Sequence, residues 1–216
     1  MRTLLIIGFS LLLVACATAG DQAQADAQTG IAYLRGIGVP QDTAKAVHYL
    51  EKASAGGSAD AQLTLGYLLM KGEGVKEDTK RALELFRKAG VQGNVDAAYN
   101  VGLAYVRGTI VEKDDAEALK WFRMAAEKGD AGAQYNAGVM ELHGEGTTRD
   151  PVTAYIWFTL ASDQAYQGAS EGMEVAKSLI TGDQFDRLNR ELQEMQKRIP
   201  AVKATATLSA ASQVPL

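Results

Sequence analysis

The 216-residue chain has one cysteine, Cys16, two histidines, His48 and His143, and four prolines. A single cysteine excludes an internal disulfide framework and a cysteine-based zinc cluster. The two histidines are far apart in sequence and neither has an H-x3-H or cysteine partner, so no metal and no cofactor is expected. No apolar run reaches the ~20 residues that a membrane-crossing helix needs. The longest, residues 4–14, is broken by Gly8 and Ser10; as a helix it rises roughly 18 Å against a hydrocarbon core of ~30 Å. Positive charge is also short. Lys and Arg number 22 against 26 Asp and Glu, a net charge of -4, which argues against nucleic acid, whose binders concentrate cations to displace phosphate counterions. Apolar residues at 47% and charged residues at 22% are the composition of one folded, soluble domain.

The N-terminus reads as an address. Arg2 followed by the apolar run gives residues 1–15 the layout of a secretory signal. Leu13-Val14-Ala15-Cys16 resembles the lipobox of bacterial lipoproteins. The resemblance implies cleavage before Cys16 and lipidation of that residue, and several acyl chains hold a bilayer where one lets go. Ala17 rather than aspartate after the cysteine resembles the outer-membrane sorting pattern of enteric bacteria, so the expected place is the cell envelope, facing the periplasm. The alternative is an ordinary signal peptide, cut near residues 17–19, that releases a soluble periplasmic protein. Residues 20–23 show no periodicity and read as an extended tether, so that 16–23 form the lipidated cysteine and its spacer.

A 36-residue period organises the rest. It aligns Gly30, Gly66, Gly102 and Gly138; Gly36, Gly72, Gly108 and Gly144; and Asp42, Asp78, Asp114 and Asp150. Ala46, Ala82, Ala118 and Ala154 keep the step, as do Ala53, Ala89, Ala125 and Ala161. Leu50 gives way to Phe86, Phe122 and Phe158 in a constant large apolar slot. In the second copy Leu63, Gly66, Tyr67 and Met70 have helical spacing over residues 59–71. A glycine inside a helix costs ~1 kcal/mol relative to alanine, so close approach of another backbone is expected at Gly66. Gly72 is the expected C-cap, Asp78 the N-cap of the next helix, and Pro151 follows Asp150 at a first helical position. Gly57, Gly93 and Gly129 close three copies where the fourth has Ala165. Ile110 replaces the second loop glycine of copy three, and Thr147 replaces the valine of copy four; altered turns are expected at both.

These residues, with Trp121-Phe122-Arg123-Met124-Ala125-Ala126 and Trp157-Phe158, resemble the Sel1-like repeat family, relatives of the tetratricopeptide repeat. The resemblance implies an all-α solenoid of four antiparallel helix pairs, at 24–59, 60–95, 96–131 and 132–165, in a short right-handed superhelix. A cap of two helices over 166–199 should end it. Its second helix places Phe185, Leu188, Leu192, Met195 and Ile199 on one stripe and pairs Asp183 with Arg187, Asp186 with Arg190 and Glu194 with Arg198 at i,i+4. Residues 200–216, rich in Ala, Ser and Thr without a stripe, read as a disordered tail.

Catalytic residues are not apparent. Gly168-Ala169-Ser170-Glu171-Gly172 matches the G-x-S-x-G nucleophile elbow, but that motif needs a preceding strand and a later histidine, and both histidines lie upstream. Arg35, Lys71, Arg107 and His143 end each first helix; cations there favour the helix dipole by ~0.3–1 kcal/mol, and they also suit a basic rail along a groove. By resemblance to tetratricopeptide peptide clamps, Asn100, Asn136, Arg107 and Lys71 would grip an extended peptide, with Tyr67, Tyr99 and Tyr135 as apolar contacts. Core packing of the Tyr-Asn pairs is the competing account. The resemblance implies a scaffold or adaptor that binds a protein or peptide, including glycan-associated envelope machinery, through a concave face, with membrane contact through the lipid. The alternatives are a β-lactam-interacting or hydrolytic enzyme, as in cysteine-rich Sel1-like proteins whose paired cysteines this chain lacks, and a passive structural lipoprotein.

Overall fold

The computed structural model describes the backbone of residues 3–199 and the side chains of residues 19–199. Cys16 as a side chain and the tail expected over 200–216 lie outside the described residues. Ten α-helices and one 3-10 turn make up the described chain, with no strand among the described residues. The chain divides into two compact units, Met1–Asn94 and Val95–Leu216.

The first unit holds α1 (Thr3–Arg35), α2 (Thr43–Ala55), α3 (Ala59–Lys71) and α4 (Thr79–Val91). α1 packs on α2, α2 on α3, and α3 on α4. Residues 20–23 belong to α1, so the extended tether expected there is corrected to helix. The reason is contact: Ala23 is buried and lies 2.7 Å from where a Cβ on Gly56 would stand. The second unit holds α5 (Val95–Arg107), α6 (Asp115–Ala126), α7 (Ala131–His143), α8 (Pro151–Asp163), α9 (Ala169–Ser178) and α10 (Phe185–Arg198). Successive helices from α5 to α9 pack in order, and α10 returns to lie on α8.

The glycine and aromatic columns explain each other. A Cβ at Gly66 would sit 2.5 Å from the Phe86 ring, at Gly102 2.7 Å from Phe122, and at Gly138 2.9 Å from Phe158. Gly30 meets Leu50 in the same way, at 2.8 Å. What comes nearest to Gly66, Gly102 and Gly138 is therefore a large side chain rather than the backbone that the sequence suggested, while at Gly30 the backbone oxygen of Ala46 also comes close, at 3.2 Å. The three phenylalanines and Leu50 are almost wholly buried, each burial stabilising its hairpin by ~1.5–3 kcal/mol. Alanines 46, 53, 82, 89, 118, 125, 154 and 161 are fully buried beside them.

The aspartate column makes two bonds in each copy. The carboxylates of Asp42, Asp78 and Asp114 accept from the N–H three residues on, at 3.0, 3.0 and 2.9 Å, and Asp150 accepts from Val152 and Thr153. Three of the capped helices thereby satisfy one otherwise orphan donor and the fourth satisfies two. The backbone N–H of the same aspartate donates back to the preceding helix: Asp78 to Leu69 O at 2.9 Å and Asp150 to Glu141 O at 2.9 Å. One residue thus ends one helix and starts the next.

The turns differ from expectation at one place. Gly36 and Gly38, Gly72 and Gly74, and Gly144 and Gly146 all have left-handed φ, between 67° and 73°, which a Schellman-type turn requires. Thr147 leaves that turn unchanged, contrary to expectation, because both glycines that set its backbone are present. In copy three Gly108 is left-handed but Ile110 is not, and the returning bond from Asp114 N to Tyr105 O lengthens to 3.3 Å. A branched side chain does not adopt that φ cheaply.

At the C-terminal end, α9 and α10 stand where the cap was expected, but the stripe is only partly covered. Leu188 and Ile199 are buried and Phe185 is 41% exposed. The expected Asp183–Arg187 pair is replaced: Arg187 bonds Glu191 at 2.8 Å and reaches Asp150 with two nitrogens, at 3.2 and 2.6 Å. Arg198 likewise faces Glu127, at 3.6 Å, rather than Glu194. Packing α10 across α8 gives these arginines longer-range partners than their own helix offers. Ile199, which precedes Pro200, is extended.

Candidate binding site

In the first unit the proposed contacts are Lys71 and Tyr67. Lys71 ends α3 and lies 3.7 Å from Glu73, a surface pair worth little. The Tyr67 ring packs edge-on to Phe86 with centroids 5.2 Å apart.

In the second unit they converge. The Tyr99 and Tyr135 rings lean on Phe122 and Phe158, both with centroids 5.6 Å apart, so each tyrosine is a half-buried lid on its repeat's aromatic slot. Asn136 Nδ2 donates to the Tyr99 hydroxyl at 3.3 Å, tying neighbouring first helices together. The Asn100 amide donates to Asp96 O of its own helix at 2.8 Å. Arg107 is exposed at the end of α5 and its charge acts on Tyr99.

Three residues that sequence reasoning passed over complete the group. Tyr166 packs on Tyr135 with centroids 5.2 Å apart and planes tilted by 36°, and remains 36% exposed. Gly132 forms the floor: a Cβ there would lie 3.4 Å from Tyr99 Cε2, 3.6 Å from Tyr166 Cε2 and 3.4 Å from Asp130 Oδ1. Asp130 caps α7, its carboxylate accepting from Ala133 N at 2.6 Å. Burial pushes the Asp130 carboxyl up, with Asp96 adding to the shift. Burial also raises the Tyr99 and Tyr166 phenols; Asp130 adds to both, while the Asn136 bond partly offsets the rise at Tyr99.

The signal for this group is a break in the period. Ser58, Asn94 and Asp130 precede Tyr166 in one column, and Gly57, Gly93 and Gly129 precede Ala165. The turn keeps its backbone bond, Tyr166 N to Ala161 O at 3.0 Å, and forces Ala165 to φ 57°, at a cost of ~1–2 kcal/mol for an L-residue. A tyrosine replaces the cap, and α9 has no side-chain cap. The glycine column at 132 and 168 departs similarly, since Asp60 and Asp96 stand there earlier. Gly168 leaves room for the Tyr135 hydroxyl, 3.3 Å from a Cβ built there.

The G-x-S-x-G motif takes part in this packing. Its first glycine faces Tyr135, its last would place a Cβ 2.7 Å from Phe158, and Ser170 Oγ lies 2.9 Å from Ser162 Oγ at the start of α9. His48 is exposed and packs edge-on to Tyr49. Among the described residues no group of three or more His, Cys, Asp or Glu is placed to hold a metal ion, and no described helix is long and apolar enough to cross a membrane.

The helix hairpins of this geometry match a known family model. The Sel1 repeat matches residues 23–58, 59–94, 95–130 and 131–166. The chain belongs to the Sel1 repeat family. As a Sel1 repeat protein it is similar in structure to one from Oxalobacter formigenes, with TM-score 0.69 and 29% identity, over 82% of this chain and 74% of that one. A protective antigen of uropathogenic Escherichia coli displaying an SLR fold aligns at TM-score 0.46 and 24% identity, over 93% of this chain and 59% of that one. A putative Sel1 repeat protein from Klebsiella pneumoniae aligns at TM-score 0.44 and 24% identity, over 74% and 80%. No curated protein sequence matches the chain.

Proposed function

We propose that this Sel1 repeat protein is an envelope-anchored scaffold that holds a protein or peptide partner against the membrane. The observation that supports this most is the Tyr99–Tyr135–Tyr166 group. Three half-exposed aromatic rings, with a polar partner in Asn136 and a charge in Asp130, are the composition of an interface centre rather than of ordinary surface. The fourth repeat has Tyr166 where earlier copies have a helix cap, and its closing turn holds Ala165 in a left-handed conformation. The anchor rests on Leu13-Val14-Ala15-Cys16, with lipid on Cys16 and an outer-membrane destination facing the periplasm. Arg107 is an exposed cation of the same unit that would add an electrostatic contribution to capture of a partner's carboxylate.

A photo-crosslinking residue at position 166, compared with one at the exposed position 91 of α4, tests the scaffold in intact cells. A discrete adduct at 166 that disappears in Tyr135→Ala is the expected result. Equal adducts at both positions would remove the reading. Labelling with a fatty-acid analogue tests the anchor: the signal should be present in the natural chain and absent in Cys16→Ser.

A further inference from the structure

Two outer positions of the second helices are exposed in three copies and buried in the fourth. Ala44, Lys80 and Ala116 precede Val152 in one column, and His48, Glu84 and Lys120 precede Ile156 in another. The earlier residues are all exposed, whereas Val152 is fully buried and Ile156 nearly so. The cause is an added neighbour. α2 packs on α1 and α3, and α6 on α5 and α7, but α8 carries α10 as well as α7 and α9. We infer that α10 is a strap on this face, fastened by Arg187 to Asp150, which opens about the turn at 181–184 while the repeats stay folded. One ionic clasp thereby governs whether the apolar face of α8 is covered.

The clasp is concentrated in one side chain. Arg187 reaches both carboxylate oxygens of Asp150, at 3.2 and 2.6 Å, and the Thr153 hydroxyl at 3.2 Å, while its Nε donates to Glu191 of its own helix at 2.8 Å. The Arg187 side chain is 39% exposed, so dissolved ions reach the pair and weaken it. Apolar fastening is sparse. Leu188 is the one buried residue of α10, and Ile199 is buried just beyond its end. The Arg198–Glu127 pair is more than half exposed on both sides and adds little. α8 does not depend on this cover for its own place. Phe158 is seated against Gly138 of α7 and Gly172 of α9, and Asp150 keeps its bonds from Val152 N and Thr153 N when Arg187 leaves. Ile180 is buried and fixes the near end of the connection, whereas residues 181–183 are exposed and a Cβ on Gly182 would meet nothing within 4 Å. A segment with little buried apolar contact and a clasp within reach of solvent belongs to the low-stability end of a fold, where opening is local rather than global.

Hydrogen exchange of the full chain, read by mass spectrometry, tests the strap. Amides of residues 189–198 should be protected, yet exchange at least about tenfold faster than those of residues 155–163 in α8. Raising sodium chloride from about 0.05 to about 1 M should speed the α10 amides about threefold or more and leave α8 unchanged. Arg187→Gln keeps a good helix former and should speed α10 about fivefold or more while removing most of the salt response. Leu188→Ala should also speed α10 but retain that response. In Ile156→Cys, thiol labelling at position 156 should rise with salt, and on adding Arg187→Gln, by the same factors as α10 exchange. Equal exchange of α10 and α8 would overturn the inference, as would an Arg187→Gln variant that speeds both alike, since α10 would then open only with the repeats. Unprotected α10 amides in the natural chain would overturn it too, because the strap would not be closed. Labelling at position 156 that stays constant while α10 exchange changes would remove the covering role.

Discussion

In the second repeat Phe86 fills one vacancy, beside Gly66; in the fourth, Phe158 fills two, beside Gly138 and Gly172. The second repeat's N-cap, Asp78, bonds its own helix through Arg81 N, whereas Asp150 also receives Arg187 from 37 residues away. Gly93 closes the second repeat with a permissive φ of 94°, and Ala165 closes the fourth with a strained one of 57°. The template is shared, but the fourth copy supports both a terminal helix pair and an aromatic group. Where one column does two jobs, sequence identity between copies understates the difference in consequence.

The largest separation should come from the aromatic slot. Phe158→Ala is expected to lower stability by ~3–5 kcal/mol and Phe86→Ala by less, because Phe158 also contacts α9 through Gly172. Urea unfolding of the two variants checks the order, and equal losses would mean that Phe158 holds no more of the structure than Phe86 does. Next come the closing turns. Ala165→Gly should stabilise by about 1 kcal/mol by relieving the left-handed alanine, net of the entropy glycine adds to the unfolded chain. Gly93→Ala should destabilise by a similar amount, and thermal melts read both.

The capping aspartates give smaller, pH-dependent effects. For Asp150, burial raises the carboxyl but the Arg187 and Thr153 bonds outweigh it, and the net shift is downward. Its contribution is present above the unfolded carboxylate range and is lost as pH falls through the lowered value. Asp150→Asn should therefore cost on the order of 1 kcal/mol at neutral pH, discounted for the exposure of Arg187, and the cost should shrink in acid. Asp130 has the opposite sign, with a raised pKa. Its stabilising share is present below the unfolded value and is lost as pH rises through the folded one. Asp130→Asn should accordingly raise the melting temperature slightly at pH 7, with the gain fading towards acid pH. A melt series from pH 3 to 7 on both variants tests the pair of signs.

The fold was open to reading because its constraints recur. Gly66, Phe86, Asp78 and Ala82 each have counterparts 36 residues away, and the second-copy first helix runs over the residues its spacing indicated, Ala59–Lys71. Spacing could not say that Phe86 rather than a backbone faces Gly66, because period identifies a position without naming its neighbour. Arg187 was assigned to Asp183 for the same reason: i,i+4 rules see only one helix, and the packing of α10 on α8 supplied Asp150 instead. Of the proposed contacts, Tyr99 and Asn136 come together through a hydrogen bond, and Tyr135 packs on Phe158 and Tyr166. Tyr166 and Gly132 carry no periodic signal, because they stand where the repetition stops.

Each bulky ring is received by a glycine from its own 36-residue segment, as Phe86 is by Gly66 and Phe158 by Gly138. A segment therefore brings both halves of its fastening with it. Such a chain can lengthen or shorten by whole copies without redesign of its interior, whereas an insertion of any other length between the two halves would leave a ring without a socket. Growth by duplication is in that sense written into the hairpin, and specialisation is free to collect in the last copy.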